Sequence, residues 1–490
     1  MRGGRGLGTH AQPSIGSGPT MGPRARSKRS WGLGLHRLVL VSCLAALHLA
    51  VWFQRSIVLP QPYMDEKFHV PQAQRYCEGD FWYWDGKITT FPGLYIVAAA
   101  PNCILRAIGV SARIPCLVQD LRLANGVLFG AVLCPIATIE LSRRLHPSTP
   151  LWRLSLNAIA LNTFPVHFFA CDLYYTDAGA LGLALACVCT LAAPAGRGRR
   201  RWLSAAAAAA AIGFRQTNAV WAGFGLGLGV LLRFGPKGRA TNNKGKPTAT
   251  AAEETVACLK LVWARRGEVL AEFWPTLAVL ASFVLFVLRN GGVVVGDRDA
   301  HKPKLHLAQV CYFGAVTFAA RLPAVAASWT SGRPRRRAGW AALAVLTLLC
   351  AACAAWSSLA HPYLLADNRH YTFYVWRKWL GRGLANRLTL APVYAACLLW
   401  AWTQVGRSQG FLACLGLFLC VAAALCPAEL LEFRYFVVPH FLCALLAEPA
   451  TGWGAASTAA CNLAVCAVLE AVFLYKPFVW PDGTTARFMW

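Results

Sequence analysis

Long apolar runs separated by short polar connections recur along almost the whole chain. Their length is close to the roughly 20 residues that a helix needs to cross a hydrocarbon core of about 30 Å. Such runs, bounded by charge, Pro or Gly, lie near 37–59, 94–110, 123–141, 154–170, 178–194, 271–288, 307–328, 340–359, 386–404, 411–426 and 456–475. The stretch 202–232 is also apolar, but Arg215, Gln216 and Asn218 interrupt it, so it reads as one span, two short ones or a broken helix. The pattern predicts an all-α multi-pass membrane protein with roughly a dozen transmembrane helices. Composition points the same way: 57% of the 490 residues are hydrophobic and 14% are charged, more apolar surface than a soluble core could bury.

The net charge of +27 is distributed unevenly. Cations cluster at Arg24 to Arg29, Arg197 to Arg201, Arg233 to Arg266 and Arg333 to Arg337, all in connections beside apolar runs. That is the signature of loops retained on the cytoplasmic side. Nucleic acid is excluded as a partner, because no aromatic-interleaved basic patch or recognition motif accompanies the charge. The loops 60–93, 290–306, 360–385 and 427–440 then share the opposite compartment, and the turn 171–177 joins them if the basic segment at Arg143 and Arg144 is cytoplasmic. Simple alternation conflicts with this at Arg143 and Arg144, unless a segment between 94 and 141 is re-entrant or missed.

Residues 1–35 carry Gly, Arg and Ser but no acid and read as a disordered basic tail, with a transit peptide as the competing reading. The run Leu38 to Leu59 is longer than a signal-peptide core and reads as a retained signal anchor that opens a membrane domain over 36–490. The segment 233–268 reads as a basic cytoplasmic linker with a flexible centre over 235–256. Most of the 19 cysteines sit singly in apolar runs, where Cys behaves as a small hydrophobe; Cys77 stands out as a loop thiol with no evident partner.

Chemistry concentrates in the non-basic loops. Asp65 and Glu66 are the first acids in the chain and follow directly on the first apolar run, where a carboxylate pair is costly unless it stays wet, pairs with cations or reacts. Asp297 to His306 forms a second polar patch, Asp367 to Tyr374 a third and Glu432 to Tyr435 a fourth, each mixing charge with aromatics or imidazole. Interfacial loops with aromatic belts also look like this. Four such clusters on one predicted face favour a carbohydrate and phosphate substrate instead: amides and carboxylates bind sugar hydroxyls, and Arg presents a fork that matches phosphate oxygens.

The motifs resemble a known family. Pro62-Tyr63-Met64-Asp65-Glu66, Phe68-His69, Pro71-Gln72-Ala73-Gln74, Tyr76-Cys77, Ile88-Thr89-Thr90 and Pro92-Gly93-Leu94-Tyr95 closely resemble the first lumenal loop of the dolichyl-phosphate-glucose-dependent α-1,2-glucosyltransferases. Leu173 to Asp177, Arg215 to Asn218, Leu365 to Tyr374, Glu432 to Phe436 and Arg487 to Trp490 are similar to later segments of that family. The resemblance runs from about Val58 to the C-terminus; Lys67 stands where an apolar residue is expected, and Gly296 to His301 is a looser match.

The resemblance implies a GT-C fold in the endoplasmic reticulum membrane, with lumenal loops, 60–93 first among them, forming the active site. It implies transfer of glucose from dolichyl phosphate β-D-glucose to a dolichyl-diphosphate-linked oligosaccharide, with inversion and with no cofactor or metal. Asp65 is the first candidate for the base that deprotonates the sugar 2-hydroxyl, and Glu66 the next. Arg369, His370, Arg434 and Arg215 are candidates for the donor phosphate, a leaving group that gains from fixed positive charge. His69, Gln72, Gln74, Asp177, Asp297, His301, His306, Asp367, Asn368, Tyr371, Glu432 and Tyr435 are the candidate substrate contacts. His69, His301 and His306 could also suit a metal by residue type, but serve equally as hydrogen-bonding loop histidines. A transporter or flippase of a lipid-linked solute is the competing class, since it too places Arg and Asp in broken membrane helices. A dolichyl-phosphate-mannose-dependent transferase is a second alternative on the same fold.

Overall fold

The computed structural model describes residues 23–111, 114–194, 198–235, 250–298, 302–330 and 339–490. The segment 1–22, Arg197, the linker centre 236–249, Asp299, His301 and the cluster Arg333 to Arg337 lie outside the described residues. Apart from a short hairpin, Phe478–Val479 with Thr485–Ala486, the regular elements among the described residues are helical. The first helix, Pro23–Val58, reaches back into the segment that composition reads as a tail.

Five helices are long and apolar enough to cross a membrane: Gly32–Val58, Val118–Leu145, Arg266–Asn290, Leu384–Gln409 and Gly452–Tyr475. Two bent pairs, Leu151–Asn162 with Pro165–Cys171 (71°) and Ala308–Ala320 with Leu322–Ser328 (60°), raise the number to seven. The other apolar runs fold into shorter helices, among them Gly93–Ala107, Thr176–Leu191, Asn218–Phe234, Trp340–Trp356 and Phe411–Leu425. By length and composition the described residues therefore hold five to seven candidate spans, fewer than the apolar runs suggest.

The bundle has two chemically distinct ends. The first helix and Val118–Leu145 run antiparallel, since Trp52 Nε1 donates to Gln119 O (2.8 Å) towards one end and Arg37 pairs with Glu140 towards the other. Arg143, which also pairs with Glu140, therefore lies at the same end as Arg37. The alternation conflict disappears because Gly93–Ala107 does not connect the two ends. It packs along Glu66–Glu78, and Arg106 Nη2 donates to Glu78 O (2.7 Å). The chain then returns to the same place through a Cys77–Cys116 disulfide, which supplies the partner that Cys77 lacked on sequence grounds. Glycosylation acceptors engineered into 360–385 should be modified and acceptors in 240–250 should not; the reverse pattern would put the acid-bearing loops in the cytosol.

The interrupted stretch resolves into two helices, Arg199–Phe214 and Asn218–Phe234, folded back on one another around extended Arg215 (φ −149°, ψ 124°). Both pack on Thr176–Leu191: Gly179 faces Phe214 near one end of that helix, and Gly229 faces Leu191 near the other. Asn218 Nδ2 ties the turn by donating to Ala180 O (3.1 Å) and Ala211 O (2.8 Å). Arg215 thus caps a hairpin at the acid-bearing end instead of breaking a helix in mid-membrane. Deeper in the bundle, Val118–Leu145 loosens into a π-helical stretch, Asn125–Leu133, that lets Asn125 Nδ2 reach Cys171 O (3.1 Å) and Leu173 O (2.7 Å). Such a local widening re-satisfies backbone freed at the neighbouring bend.

Candidate active site

The catalytic candidates are positioned by the turn before Glu66–Glu78. Met64 has φ +53°, a conformation uncommon for a residue with a side chain, and it turns the chain so that the next two carboxylates part company. Gly79, at φ +96°, closes the helix with its N–H on Arg75 O and Tyr76 O.

Glu66 points inward and is fully buried. It accepts from Arg122 Nε (2.8 Å) and Nη2 (2.5 Å), from Tyr63 N (2.9 Å) and from Tyr174 N (2.8 Å). Arg122 in turn donates to Leu59 O (2.6 Å) and Gln61 O (3.0 Å), so the pair ties the start of the loop to the neighbouring span. Asp65 points outward. It is the N-cap residue, but its side chain makes no capping bond, and it remains 42% exposed with Arg434 Nη1 at 3.2 Å.

Around Asp65 the fold gathers groups from four distant segments. Asp177, buried at the start of Thr176–Leu191, pairs with Arg215 Nη1 (2.5 Å) and with Arg434 Nη1 (3.5 Å). Glu432 takes Arg434 Nη2 (3.1 Å). Arg434 stacks over Tyr175 (5.1 Å) and Arg215 over Tyr435 (5.9 Å). The Nε of Arg434 is buried without a hydrogen-bond partner, which leaves one donor for an incoming group. His69 Nδ1 shares a 2.6 Å bond with Tyr95 Oη, and burial pushes its imidazole down from the ordinary value; Asp65 opposes that shift and Arg434 reinforces it. His69 is therefore held neutral near pH 7.

A second cluster adjoins the first. Phe433, next to Arg434, packs edge-on against Trp490 (5.3 Å), and Trp490 packs against Tyr371 (5.4 Å). Arg369 is held by Asp367 in a fork (2.8 and 2.7 Å) and lies over Trp480 (4.5 Å). Burial pushes the Asp367 carboxyl up, but its bonds from Arg369 and the nearby His370 outweigh that and leave it below the ordinary range. Asn368 accepts from Trp480 Nε1 (2.9 Å), and His370 Nδ1 contacts Trp490 O (2.6 Å). The C-terminal segment closes the cluster: Met489 N donates to Arg369 O (2.9 Å) and Arg487 N to Tyr63 Oη (2.8 Å).

Other expected substrate contacts sit in the frame. Gln72 is buried and clamps the loop, donating to Tyr83 O (2.8 Å) and accepting from Asp85 N (2.9 Å). Gln74 donates to Cys116 O (3.2 Å) beside the disulfide. Both nitrogens of His306 meet backbone, Glu429 O (2.9 Å) and Leu359 N (3.2 Å). Asp297 faces Lys87 (3.4 Å). Arg122, Tyr175, Tyr63 and Trp480 are the contacts that sequence reasoning missed; a lone Arg entering an apolar run was the signal for the first of them.

A family model matches residues 59–445, which include every segment of the Asp65 cluster. The chain belongs to the DIE2/ALG10 family. Among curated members, a protein of Arabidopsis thaliana is 32% identical over 88% of this chain and 96% of its own length. A Mus musculus protein is 34% identical and a Homo sapiens protein 33%, each over 92% of this chain and 96% of its own length. All three are named Dol-P-Glc:Glc(2)Man(9)GlcNAc(2)-PP-Dol alpha-1,2-glucosyltransferase. No solved structure matches the chain. Within this DIE2/ALG10 chain, the family match ends before the C-terminal segment that closes the Arg369 cluster.

Proposed function

We propose that the protein transfers glucose from dolichyl phosphate glucose to the diglucosylated dolichyl-diphosphate-linked oligosaccharide, in the lumen of the endoplasmic reticulum, forming the terminal α-1,2 bond. The reading rests on family membership, and the observation that carries it is the convergence of Asp65, Asp177, Arg215, Glu432 and Arg434 at one end of the bundle. Asp65 is the exposed carboxylate of that set and acts as the base. It takes the proton of the acceptor 2-hydroxyl as that oxygen bonds to C1 of the donor glucose and the C1–phosphate bond breaks, releasing dolichyl phosphate. Glu66, consumed by Arg122 and two backbone N–H groups, braces the loop.

Charge divides the two clusters between the substrates. Around Asp65 three carboxylates face two guanidinium groups, so the set favours a neutral sugar over another anion. The second cluster sets the donors of Arg369 and His370 around the side-chain carboxylate of Asp367, so it suits the departing phosphate. A GT-C architecture with roughly a dozen crossings belongs to the same reading. Helices such as Thr176–Leu191 run between the two ends although they are short, and at 1.5 Å per residue they reach about 24 Å, which a locally thinned bilayer accommodates.

The test is transfer itself. Microsomes carrying the protein, supplied with dolichyl phosphate glucose and an acceptor lacking its terminal glucose, should extend the glycan by one hexose. Movement of a lipid-linked solute across the membrane with no change in glycan mass would favour a transporter.

A further inference from the structure

One imidazole stands beside the proposed base without a part in the transfer step. His69 follows Asp65 by four residues at the start of Glu66–Glu78, and its backbone N–H donates to Asp65 O (3.1 Å), so the two side chains share a helix face. The ring of His69 meets Tyr175 edge-on at 6.3 Å, and Tyr175 carries Arg434 on its face at 5.1 Å. His69 is half-buried, and among the described residues the one hydrogen bond of its ring is the 2.6 Å bond between Nδ1 and Tyr95 Oη.

Which nitrogen carries the proton follows from Tyr95. This residue lies in the first turn of Gly93–Ala107, is fully buried, and is boxed in by Tyr76 (5.7 Å) and Trp84 (6.0 Å). The start of its helix is fixed as well: a Cβ at Gly93 would stand 2.6 Å from Gly213 O, in the hairpin that carries Arg215. Thr90 Oγ1 lies beside the Tyr95 hydroxyl but is buried without a hydrogen-bond partner, so among the described residues that hydroxyl bonds to His69 alone. A buried phenol that withheld its proton from this bond would leave an O–H donor unsatisfied. Tyr95 therefore donates and Nδ1 accepts, which puts the proton of the neutral imidazole on Nε2.

That N–H answers a need of the Asp65 cluster. A sugar hydroxyl that gives its hydrogen to a carboxylate still accepts through its oxygen, and the guanidinium groups of Arg215 and Arg434 are already turned to Asp65, Asp177 and Glu432. An uncharged donor serves the hydroxyl without upsetting the balance of charge. On the transfer reading given above, we propose that Tyr95 is a positioning residue that locks His69 as the Nε2–H tautomer, and that this N–H donates to a hydroxyl oxygen of the acceptor's terminal glucose beside Asp65.

Steady-state transfer by the full chain in micelles, with donor and acceptor varied in turn, tests this through a double-mutant cycle. Tyr95→Phe keeps the ring and removes the hydroxyl; kcat/KM for the acceptor should fall about tenfold, the loss of one hydrogen bond, with KM for dolichyl phosphate glucose unchanged. His69→Gln keeps an amide N–H near the place of Nε2, whereas His69→Asn brings its amide only as far as Nδ1, so the Asn variant should be about tenfold less active than the Gln variant. In the His69→Gln background Tyr95→Phe should cost less than about twofold more, because no tautomer is left to set. Equal losses from Tyr95→Phe in the two backgrounds would make Tyr95 a packing residue and overturn the proposal. If Tyr95→Phe does not fold, the comparison of His69→Gln with His69→Asn decides, and equal activity of those two overturns it. A parent that transfers no glucose defeats the transfer reading itself, whereas an active parent with uncoupled variants defeats this inference alone.

Discussion

Asp65→Asn should lower turnover by about a hundredfold or more while leaving the protein folded. The substitution keeps the shape of the side chain and removes its affinity for the proton of the attacking hydroxyl. It leaves the fold intact because Asp65 makes no capping bond and is held by a single arginine contact at 3.2 Å. Glu66→Gln provides the contrast. Glu66 is fully buried in a pair with Arg122, so neutralising it strands a guanidinium and costs about 3 to 5 kcal/mol of stability. Loss of folded protein in Glu66→Gln together with loss of turnover alone in Asp65→Asn separates the brace from the base. Near-normal turnover in a folded Asp65→Asn enzyme would remove Asp65 from that role.

The second large effect concerns the donor phosphate. Arg369→Lys keeps the charge but loses the planar fork, and it should cost about 1 to 3 kcal/mol in kcat/KM for dolichyl phosphate glucose. Arg434→Lys should act differently. Arg434 ties Asp65, Asp177 and Glu432 together, so the loss should appear mainly in kcat and in acceptor kinetics. Steady-state kinetics with each substrate varied in turn distinguish the two. If both variants match the parent for the donor while acceptor kinetics change, the phosphate is held elsewhere, and Arg215 is the next candidate.

What the sequence made legible follows from what each residue's type reveals. The 60–93 loop was found because acids are scarce and these two stand at the mouth of an apolar run. The division of labour between them was not, since adjacent positions at a helix start face about 100° apart and only the fold says which faces Arg122. The place of the 94–110 run was not legible, because an apolar run records burial, not crossing: Gly93–Ala107 packs against Glu66–Glu78, and a disulfide ties the chain that follows it back to that helix. Cys116 gave no sign of pairing, 39 residues from Cys77. Gln72, Gln74 and His306 look like substrate contacts by type; in the fold both polar atoms of Gln72 and of His306, and the amide nitrogen of Gln74, bond to loop backbone. The C-terminal Arg487 to Trp490 segment, in contrast, was legible as a motif and is built into the second cluster.

Glucosyl transfer by the purified chain is the most direct test of the whole account. With dolichyl phosphate glucose as the only sugar donor and a diglucosylated dolichyl-diphosphate oligosaccharide as acceptor, the glycan should gain one hexose, and an α-1,2-specific glucosidase should remove it. No gain in mass, or a hexose in β linkage that the glucosidase leaves in place, would contradict it.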